Sequence, residues 1–204
     1  KGLNSIFILL LMYYFNSWNN IVAWIYLALH GTYGYMWVLK SKIFPDRQWE
    51  SKTSLSYGLF IWFGLSLYWF SPYIIISGNS IIPFSIPMYP VYVFFCITIY
   101  ILGVFLHFTS DMQKYIYLKL NPGNLMTDGM FKKIRNTNYL GELLIYLGFS
   151  LLALDWTPII ALLIFIFIIW IPNMLKKDKS LSRYKEFDDY KSKTKRFLPF
   201  LWLI

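Results

Sequence analysis

Six apolar stretches follow one another along the chain, separated by short polar connections. A helix that crosses the hydrocarbon core of a bilayer takes roughly 20 apolar residues, and all but the first stretch approach that length. They lie at about 3–15, 20–39, 54–76, 89–110, 138–154 and 157–175. The pattern predicts an all-α membrane protein, a polytopic helix bundle with about six transmembrane helices.

Positive charge is confined to alternate connections of this bundle. All 19 basic residues lie at Lys1 or in the segments 40–52, 111–135 and 176–196. The other connections, 16–20, 77–88 and 155–157, contain no Lys or Arg. Because loops kept on the cytoplasmic or matrix side carry the Lys and Arg excess, both ends of the chain are predicted to lie on the positive side.

Composition agrees with this reading and limits the partners. The chain is 57% hydrophobic and only 14% charged, whereas soluble domains are about a quarter charged. Its net charge of +9 lies in loops that flank the membrane, so membrane lipids rather than nucleic acid are the expected partners. The single cysteine, Cys96, lies within a span, and no metal site is expected. No small-residue cleavage site follows the first stretch, which argues against a signal peptide.

An ionisable group inside a span is costly, and it therefore marks a candidate functional site. His30 lies in mid-span beside Gly31 and Gly34. One interpretation makes it the wall of a substrate pocket, in which His30 and Tyr33 or Tyr35 are the catalytic residues that offer a proton to a substrate carbonyl. The other interpretation is a helix-packing histidine that is hydrogen-bonded to a neighbour.

A second polar group is predicted where the fourth span ends and the fifth begins. His107 and Asp111 stand four residues apart and so project from one helix face. Asn138 can cap the fifth helix, whose first N–H groups attract anions, and Glu142 follows one turn later. Because a lone buried carboxylate is costly, Glu142 should meet Arg135, a lysine or a sugar hydroxyl.

These residues belong to a longer stretch with a recognisable motif order. The turn Gly129-Met130-Phe131 precedes Arg135-Asn136-Thr137-Asn138-Tyr139-Leu140-Gly141-Glu142, and Phe187, Tyr190 and Pro199-Phe200 close the chain. The stretch resembles the steroid 5-alpha-reductase C-terminal, DUF1295-like family of membrane proteins. That family is related in architecture to the isoprenylcysteine carboxyl methyltransferases. The resemblance extends from Asp111 to the carboxyl end.

The resemblance implies that this half of the chain binds NADPH. The implied cofactor-binding residues are Asp111, Arg135, Asn138, Tyr139 and Glu142, with Lys132 and Lys133 adding positive charge near the phosphates. An ion pair with Lys114 is the alternative role for Asp111. Residues 1–204 would form one transmembrane domain, in which 1–110 face the substrate or lipid and 111–204 hold the cofactor.

Two departures from the family pattern and one from the methyltransferase pattern bear on activity. Asn136-Thr137 replace its His-Pro, and no Gln-Glu pair that would hold a substrate ketone is found, since Gln48 and Glu50 are wrongly spaced. The paired glutamates that the methyltransferases place before the closing motif are absent, because Asp178-Lys179 stand there.

Three functions are therefore considered. The leading one is an NADPH-dependent reductase that acts on the activated double bond of a lipid or steroid enone. The alternatives are an S-adenosylmethionine-dependent lipid or isoprenylcysteine methyltransferase, and a non-catalytic accessory subunit whose partners are other membrane protein subunits. The endoplasmic reticulum and the mitochondrial inner membrane are the expected locations. The chain begins at Lys1 rather than Met, so upstream sequence is expected, and the family usually has one more helix.

Overall fold

The computed structural model describes residues 2–46 and 52–199. Within these ranges the chain forms seven helices and no extended strand, only two isolated bridges. The helices are α1 (Asn4–Tyr14), α2 (21–43), α3 (Leu55–Ser77), α4 (Pro90–Leu120), α5 (Thr137–Leu151), α6 (Trp156–Leu181) and α7 (Phe187–Lys193). The prediction of an all-α membrane helix bundle is confirmed.

Three of the described helices are long and apolar enough to cross a membrane by themselves, namely α3, α4 and α6. They correspond to the predicted spans 54–76, 89–110 and 157–175, although α4 continues beyond residue 110 to Leu120. The other predicted spans form the 11-residue α1, the 15-residue α5 and α2, which carries His30 and two lysines. Three of the six predicted membrane crossings therefore correspond to helices that are, by themselves, too short or too polar to span a bilayer.

The outer surface of the long helices suits a lipid environment. Trp62 and Phe63 on α3 and Phe94 and Phe95 on α4 each expose more than half of their surface. Contiguous apolar surface of this extent is rare on soluble monomers. The protein is an integral membrane protein.

Three helices contain an irregular turn, and proline accounts for two of them. Proline removes the hydrogen bond to the carbonyl four residues earlier. Pro72 thus follows the 3₁₀ turn Leu67–Trp69 in α3, and Pro172 follows the π-helical turn Ile166–Trp170 in α6. The π-helical turn Leu27–Gly31 in α2 contains no proline, and the carbonyl of its Leu29 accepts a hydrogen bond from Tyr100 at 2.8 Å.

The chain divides into two compact units, and each consists of two separate segments. The first unit contains Lys1–Ile101 and Ile145–Leu162, and the second contains Leu102–Leu144 and Leu163–Ile204. The division falls inside α4, α5 and α6, so each of these helices contributes one end to each unit.

The connections that lack Lys and Arg meet within the first unit. In the connection 16–20, the Ser17 hydroxyl donates to the carbonyl of Ile76 at 2.7 Å, and the Asn20 amide donates to Ile75 at 2.9 Å. Asn20 also begins α2, since its side-chain oxygen accepts from two backbone N–H groups of the first turn. The start of α2 is therefore tied to the end of α3.

The carboxylate of Asp155 ties the remaining two of these connections together. One oxygen accepts hydrogen bonds from the Ser80 hydroxyl at 2.6 Å and from the backbone N–H groups of Ile81 and Ile82 at 2.7 and 2.9 Å. The other accepts from the N–H of Thr157 at 2.7 Å. Burial by itself would raise the pKa of Asp155, but these hydrogen bonds hold it well below its usual range. The three connections that meet here are those predicted to share one side of the membrane.

Candidate functional site

The first unit contains an open cavity of about 290 Å³ between α1, α3 and the π-helical turn of α2. Its walls are largely apolar and aromatic, with a few polar groups. The lining residues are Leu3, Asn4, Ile6, Phe7, Leu10, His30, Trp62, Leu65, Ser66, Tyr68, Trp69 and Tyr146. An apolar cavity with few polar groups is the usual form of a small-molecule site, and this volume is at the lower end of the common range.

His30 forms part of the cavity wall and is held on both ring nitrogens. Its Nε2 lies 2.8 Å from the side-chain nitrogen of Asn4, and its Nδ1 lies 2.8 Å from the hydroxyl of Tyr26. The ring also stacks on Phe149, with 4.4 Å between ring centroids. His30 is therefore hydrogen-bonded to its neighbours, as the packing interpretation expects, and it also lines a cavity.

The two tyrosines that sequence reasoning placed beside His30 lie apart from the cavity lining. Tyr33 is fully buried and packs edge-on against Tyr146, whereas Tyr35 is 52% exposed. The cavity instead contains Tyr68 and Tyr146, whose rings stack with 4.1 Å between centroids. Sequence reasoning missed this pair, because Tyr68 and Tyr146 are far apart in the chain and resemble the many other tyrosines of the spans.

In the second unit, α4 and α5 approach each other closely at Gly141. A Cβ atom added at Gly141 would lie 2.4 Å from the backbone nitrogen of His107 and 2.8 Å from the carbonyl oxygen of Gly103. The glycine of the Asn-Tyr-Leu-Gly-Glu motif is therefore required by helix packing. This approach allows His107 Nδ1 to donate a hydrogen bond to the carbonyl of Asn138 at 3.2 Å.

The structure brings together some of the polar residues that were predicted where α4 ends and α5 begins. His107 and Asp111 share one face of α4, with 3.8 Å between Nε2 and Oδ2, and both are buried. Asn138 lies in the first turn of α5 rather than before it, so the prediction that it caps the helix is wrong. The carbonyl of Asn136 accepts hydrogen bonds from the N–H groups of Tyr139 and Leu140. Tyr139 packs against Trp170 of α6, and Glu142 is half-buried one turn after Asn138.

The guanidinium of Arg135 binds other residues of the same chain. Its Nε and Nη2 donate to the carboxylate of Asp178 at 3.2 and 3.0 Å, in a buried two-point ion pair. Its Nη1 donates to the carbonyl and hydroxyl of Thr194 at 2.8 and 3.0 Å. Arg196 also contacts Asp178, at 2.9 Å. The guanidinium expected at cofactor phosphates therefore binds the carboxyl-terminal segment.

The closing motif is the second half of this arrangement. Ile134 and Lys195 form an isolated parallel bridge, in which the Arg135 N–H donates to the Lys195 carbonyl at 2.8 Å and the Lys195 N–H donates to the Lys133 carbonyl at 2.9 Å. Tyr190 donates its hydroxyl to the carbonyl of Phe131 at 2.7 Å, and burial raises the pKa of this phenol to about 12. Phe200 lies outside the described residues, as do Gln48 and Glu50.

Lys177 supplies a cation that sequence reasoning did not single out. Its ammonium donates to the carbonyl of Arg135 at 2.8 Å and to the side-chain oxygen of Asn136 at 3.0 Å. Lys114 and Asp111 lie within electrostatic range of it. Asn136 accepts from Lys177 of α6 and donates to the carbonyl of Arg196 at 2.8 Å, so it joins the start of α5 to α6 and to the carboxyl-terminal segment.

The second unit fits part of what a bound NADPH requires. The side-chain oxygen of Asn138 is buried and has no hydrogen-bond partner among the described residues, which suits a ribose or amide donor. Lys114 and Lys177 suit phosphate charge, Glu142 lies on α5 one turn after Asn138, and Asp111 lies on α4. Arg135 does not fit, because its donors are directed at Asp178 and Thr194.

Comparison with protein families gives one match. Residues 45–195 match the family described as "Protein of unknown function (DUF1295)". The matched range covers most of the chain, including the long helices, Arg135 with Asp178, and the α4–α5 junction. No curated protein and no solved structure matches the chain.

Proposed function

We propose that this chain, which belongs to the DUF1295 family, is a membrane-embedded NADPH-dependent reductase of the steroid 5-alpha-reductase type. Its substrate would be an apolar molecule, a lipid or steroid, that carries a conjugated enone. The observation that carries the proposal is the cavity of the first unit, where apolar walls meet His30 and a stacked tyrosine pair. The proposed location is the endoplasmic reticulum or the mitochondrial inner membrane.

The proposed chemistry needs a proton donor in the cavity. Reduction of a conjugated double bond adds hydride to the β carbon, shifts charge to the carbonyl oxygen, and ends with a proton on the α carbon. Tyr68 or Tyr146 would donate that proton from its hydroxyl. When bound, NADPH would supply the hydride. Asn138, Lys114 and Lys177 would hold it in the second unit, with Asp111 and Glu142 beside them.

A second candidate function is that of a non-catalytic subunit in a larger membrane assembly. The ion pair of Arg135 with Asp178 favours it, because the cation that the resemblance assigns to phosphates serves the fold. In that case the cavity would hold a structural lipid, and neighbouring subunits would cover the exposed apolar faces of α3 and α4.

The test is an enone reduction assay on the purified full chain in lipid nanodiscs. Loss of nicotinamide absorbance is followed with β-ionone, a compact apolar enone, as the probe. We expect Tyr68→Phe or Tyr146→Phe to lower kcat by about a hundredfold or more. Tyr35→Phe is the matched control, because Tyr35 is exposed, and it should retain the parental rate.

Two outcomes would redirect the proposal. If β-ionone and steroid enones are not reduced by the parent protein, and partner chains copurify, the accessory-subunit function is favoured. Mass spectrometry of small molecules retained after gentle purification distinguishes NADPH, S-adenosylmethionine and lipid, and retained S-adenosylmethionine would favour the methyltransferase alternative.

A further inference from the structure

We propose that the cavity of the first unit opens sideways into the hydrocarbon core of the bilayer, close to its middle, and that its ligand is an uncharged molecule that enters from the surrounding lipid. This proposal deepens the proposed function and rests on it for the cavity's role as a ligand site. It follows from the depth of the cavity, from the side chains at its mouth and from the charge of its lining.

The three connections without Lys and Arg mark one surface of the membrane. They consist of irregular backbone, which does not occur in contact with lipid inside the hydrocarbon region. The exposed side chains of Tyr14, Trp18 and Trp156 lie in or beside these connections. Because Tyr and Trp are enriched at membrane–water interfaces, depth in the bilayer can be counted along the helices from this end.

Three helices place the polar end of the cavity near the middle of the bilayer. Asn4 begins the 11-residue α1 and so lies about 15 Å from its far end. Asn4 is 2.8 Å from His30, which lies about 14 Å after the start of α2. It is also 3.4 Å from Trp69, which lies about 12 Å before the end of α3. Since the hydrocarbon core is about 30 Å thick, these depths are close to its centre.

The mouth of the cavity is apolar and faces outwards. Ile6 and Leu10 of α1 and Trp62 of α3 line the cavity, yet they are 55%, 61% and 65% exposed. The inner wall contains His30 and Tyr146, which are only 3% and 2% exposed. Exposed apolar surface in a membrane protein is surface for lipid, so the mouth continues the lipid-facing surface of α1 and α3.

The lining does not suit a charged ligand. Among the described residues, the cavity wall includes no Lys, Arg, Asp or Glu. Both ring nitrogens of His30 are already hydrogen-bonded, to Asn4 and to Tyr26 at 2.8 Å. A charge at the centre of a bilayer is costly without a counter-charge, so a ligand that reaches this depth from the lipid is uncharged.

Spin labels test the depth and the surroundings of the mouth. In a Cys96→Ser background, Ile6→Cys carries a nitroxide label, and the full chain is placed in nanodiscs without NADPH. Oxygen concentrates in hydrocarbon, whereas the nickel complex NiEDDA stays in water. We expect the Ile6 label to collide with oxygen and to lose the NiEDDA collisions that a label on Tyr14→Cys shows, because Tyr14 lies at the membrane surface.

The matched control is a label on Ile101→Cys. Ile101 is 57% exposed, lies about 16 Å after the start of α4, and is not part of the cavity wall. Its collisions with oxygen and NiEDDA should equal those of the Ile6 label, since both positions face lipid at a similar depth.

Two small molecules test entry from the lipid. β-Ionone is uncharged and should fill the cavity, which lowers the oxygen collisions of the Ile6 label and leaves those of the Ile101 label unchanged. β-Cyclogeranic acid has the same ring but is an ionised carboxylate at neutral pH. It should leave both labels unchanged.

The proposal is overturned if NiEDDA reaches the Ile6 label as readily as the Tyr14 label, which would indicate a water-filled mouth. It is also overturned if neither reagent reaches the Ile6 label, which would indicate a covering protein, or if β-ionone has no effect there or the carboxylate has the same effect. Leu10→Cys gives a second label at the mouth, so the result does not depend on the folding of one variant. Because NADPH is absent, a failed enone reduction assay beside the expected label results would reject the reductase function and leave the lipid entrance standing.

Discussion

Arg135 and Asp178 form a buried two-point ion pair that joins the loop before α5 to the end of α6, with 3.0 Å between Nη2 and Oδ2. The same carboxylate binds Arg196 at 2.9 Å, so one acidic residue joins three segments of the second unit. The motif that precedes α5 and the motif that closes the chain are therefore two halves of a single structural element.

Replacement of Asp178 should destabilise the second unit strongly. Asp178→Asn leaves the buried Arg135 guanidinium without its counter-charge, and loss of one partner of a buried pair costs about 3–5 kcal/mol. Asp189→Asn is the matched control, since its ion pair with Lys193 is exposed and is worth about 0–1 kcal/mol. Thermal unfolding in detergent measures both, and equal losses would contradict a structural role for the Arg135 pair.

Alanine should have opposite effects at two helical glycines. At Gly141 the new Cβ would lie 2.4 Å from the His107 nitrogen, so α4 and α5 must separate, at a cost of about 1–3 kcal/mol. At Gly58 nothing lies within 4 Å, and alanine should stabilise α3 by about 0.5–1 kcal/mol. The unfolding temperature should fall for Gly141→Ala and hold or rise for Gly58→Ala; a fall in both would refute the packing argument.

The hydrogen bonds that the Asp155 carboxylate accepts should make the stability of the folded protein depend on pH in the acid range. Its folded pKa is depressed, so the stabilisation is fully present above the ordinary carboxyl pKa of about 4 and is lost as pH falls towards the folded pKa. Asp155→Asn should unfold at a lower temperature at neutral pH and lose less stability on acidification than the parent. Asp188→Asn, in the exposed first turn of α7, is the control and should follow the parent curve.

If NADPH binds, Glu142→Gln should weaken binding more than Lys132→Ala. Glu142 is half-buried in α5, where loss of a charged-group hydrogen bond costs about 1.5–3 kcal/mol. Lys132 is exposed among other cations, so its removal should cost about 0–1 kcal/mol. Calorimetric titration of NADPH compares both variants with the parent. Equal losses would mean that diffuse positive charge alone attracts the nucleotide.

The alternation of charge predicts that the connection 77–88 and the tail lie on opposite sides of the membrane. In a Cys96→Ser background, single cysteines at the exposed positions Asn79 and Lys185 report the two sides. A membrane-impermeant thiol reagent applied to oriented vesicles should label only one of them. Labelling of both from the same side would rule out the six-crossing arrangement.

The helices and their grouping followed from local features of the sequence. Hydropathy and the placement of Lys and Arg act on each segment separately, so they predicted where the helices lie and which connections belong together. The connections without basic residues meet in the first unit through Asn20 and Asp155, in agreement with that grouping. The span lengths did not follow in the same way, since α1 and α5 are shorter than a bilayer crossing.

The sequence by itself also identified His30, Asp111 and Glu142 as costly groups, because burial of a charge or an imidazole is penalised wherever it occurs, and it assigned Arg135 to phosphates or to Glu142. Only the tertiary structure decided which residues these groups bind. Arg135 meets Asp178 from 43 positions away, and no local pattern ranks that carboxylate above the others. His30 meets Asn4 of α1 at 2.8 Å, and Asn4 in turn meets Trp69 of α3 at 3.4 Å. These hydrogen bonds join segments that are far apart in the chain, and only the fold brings those segments together.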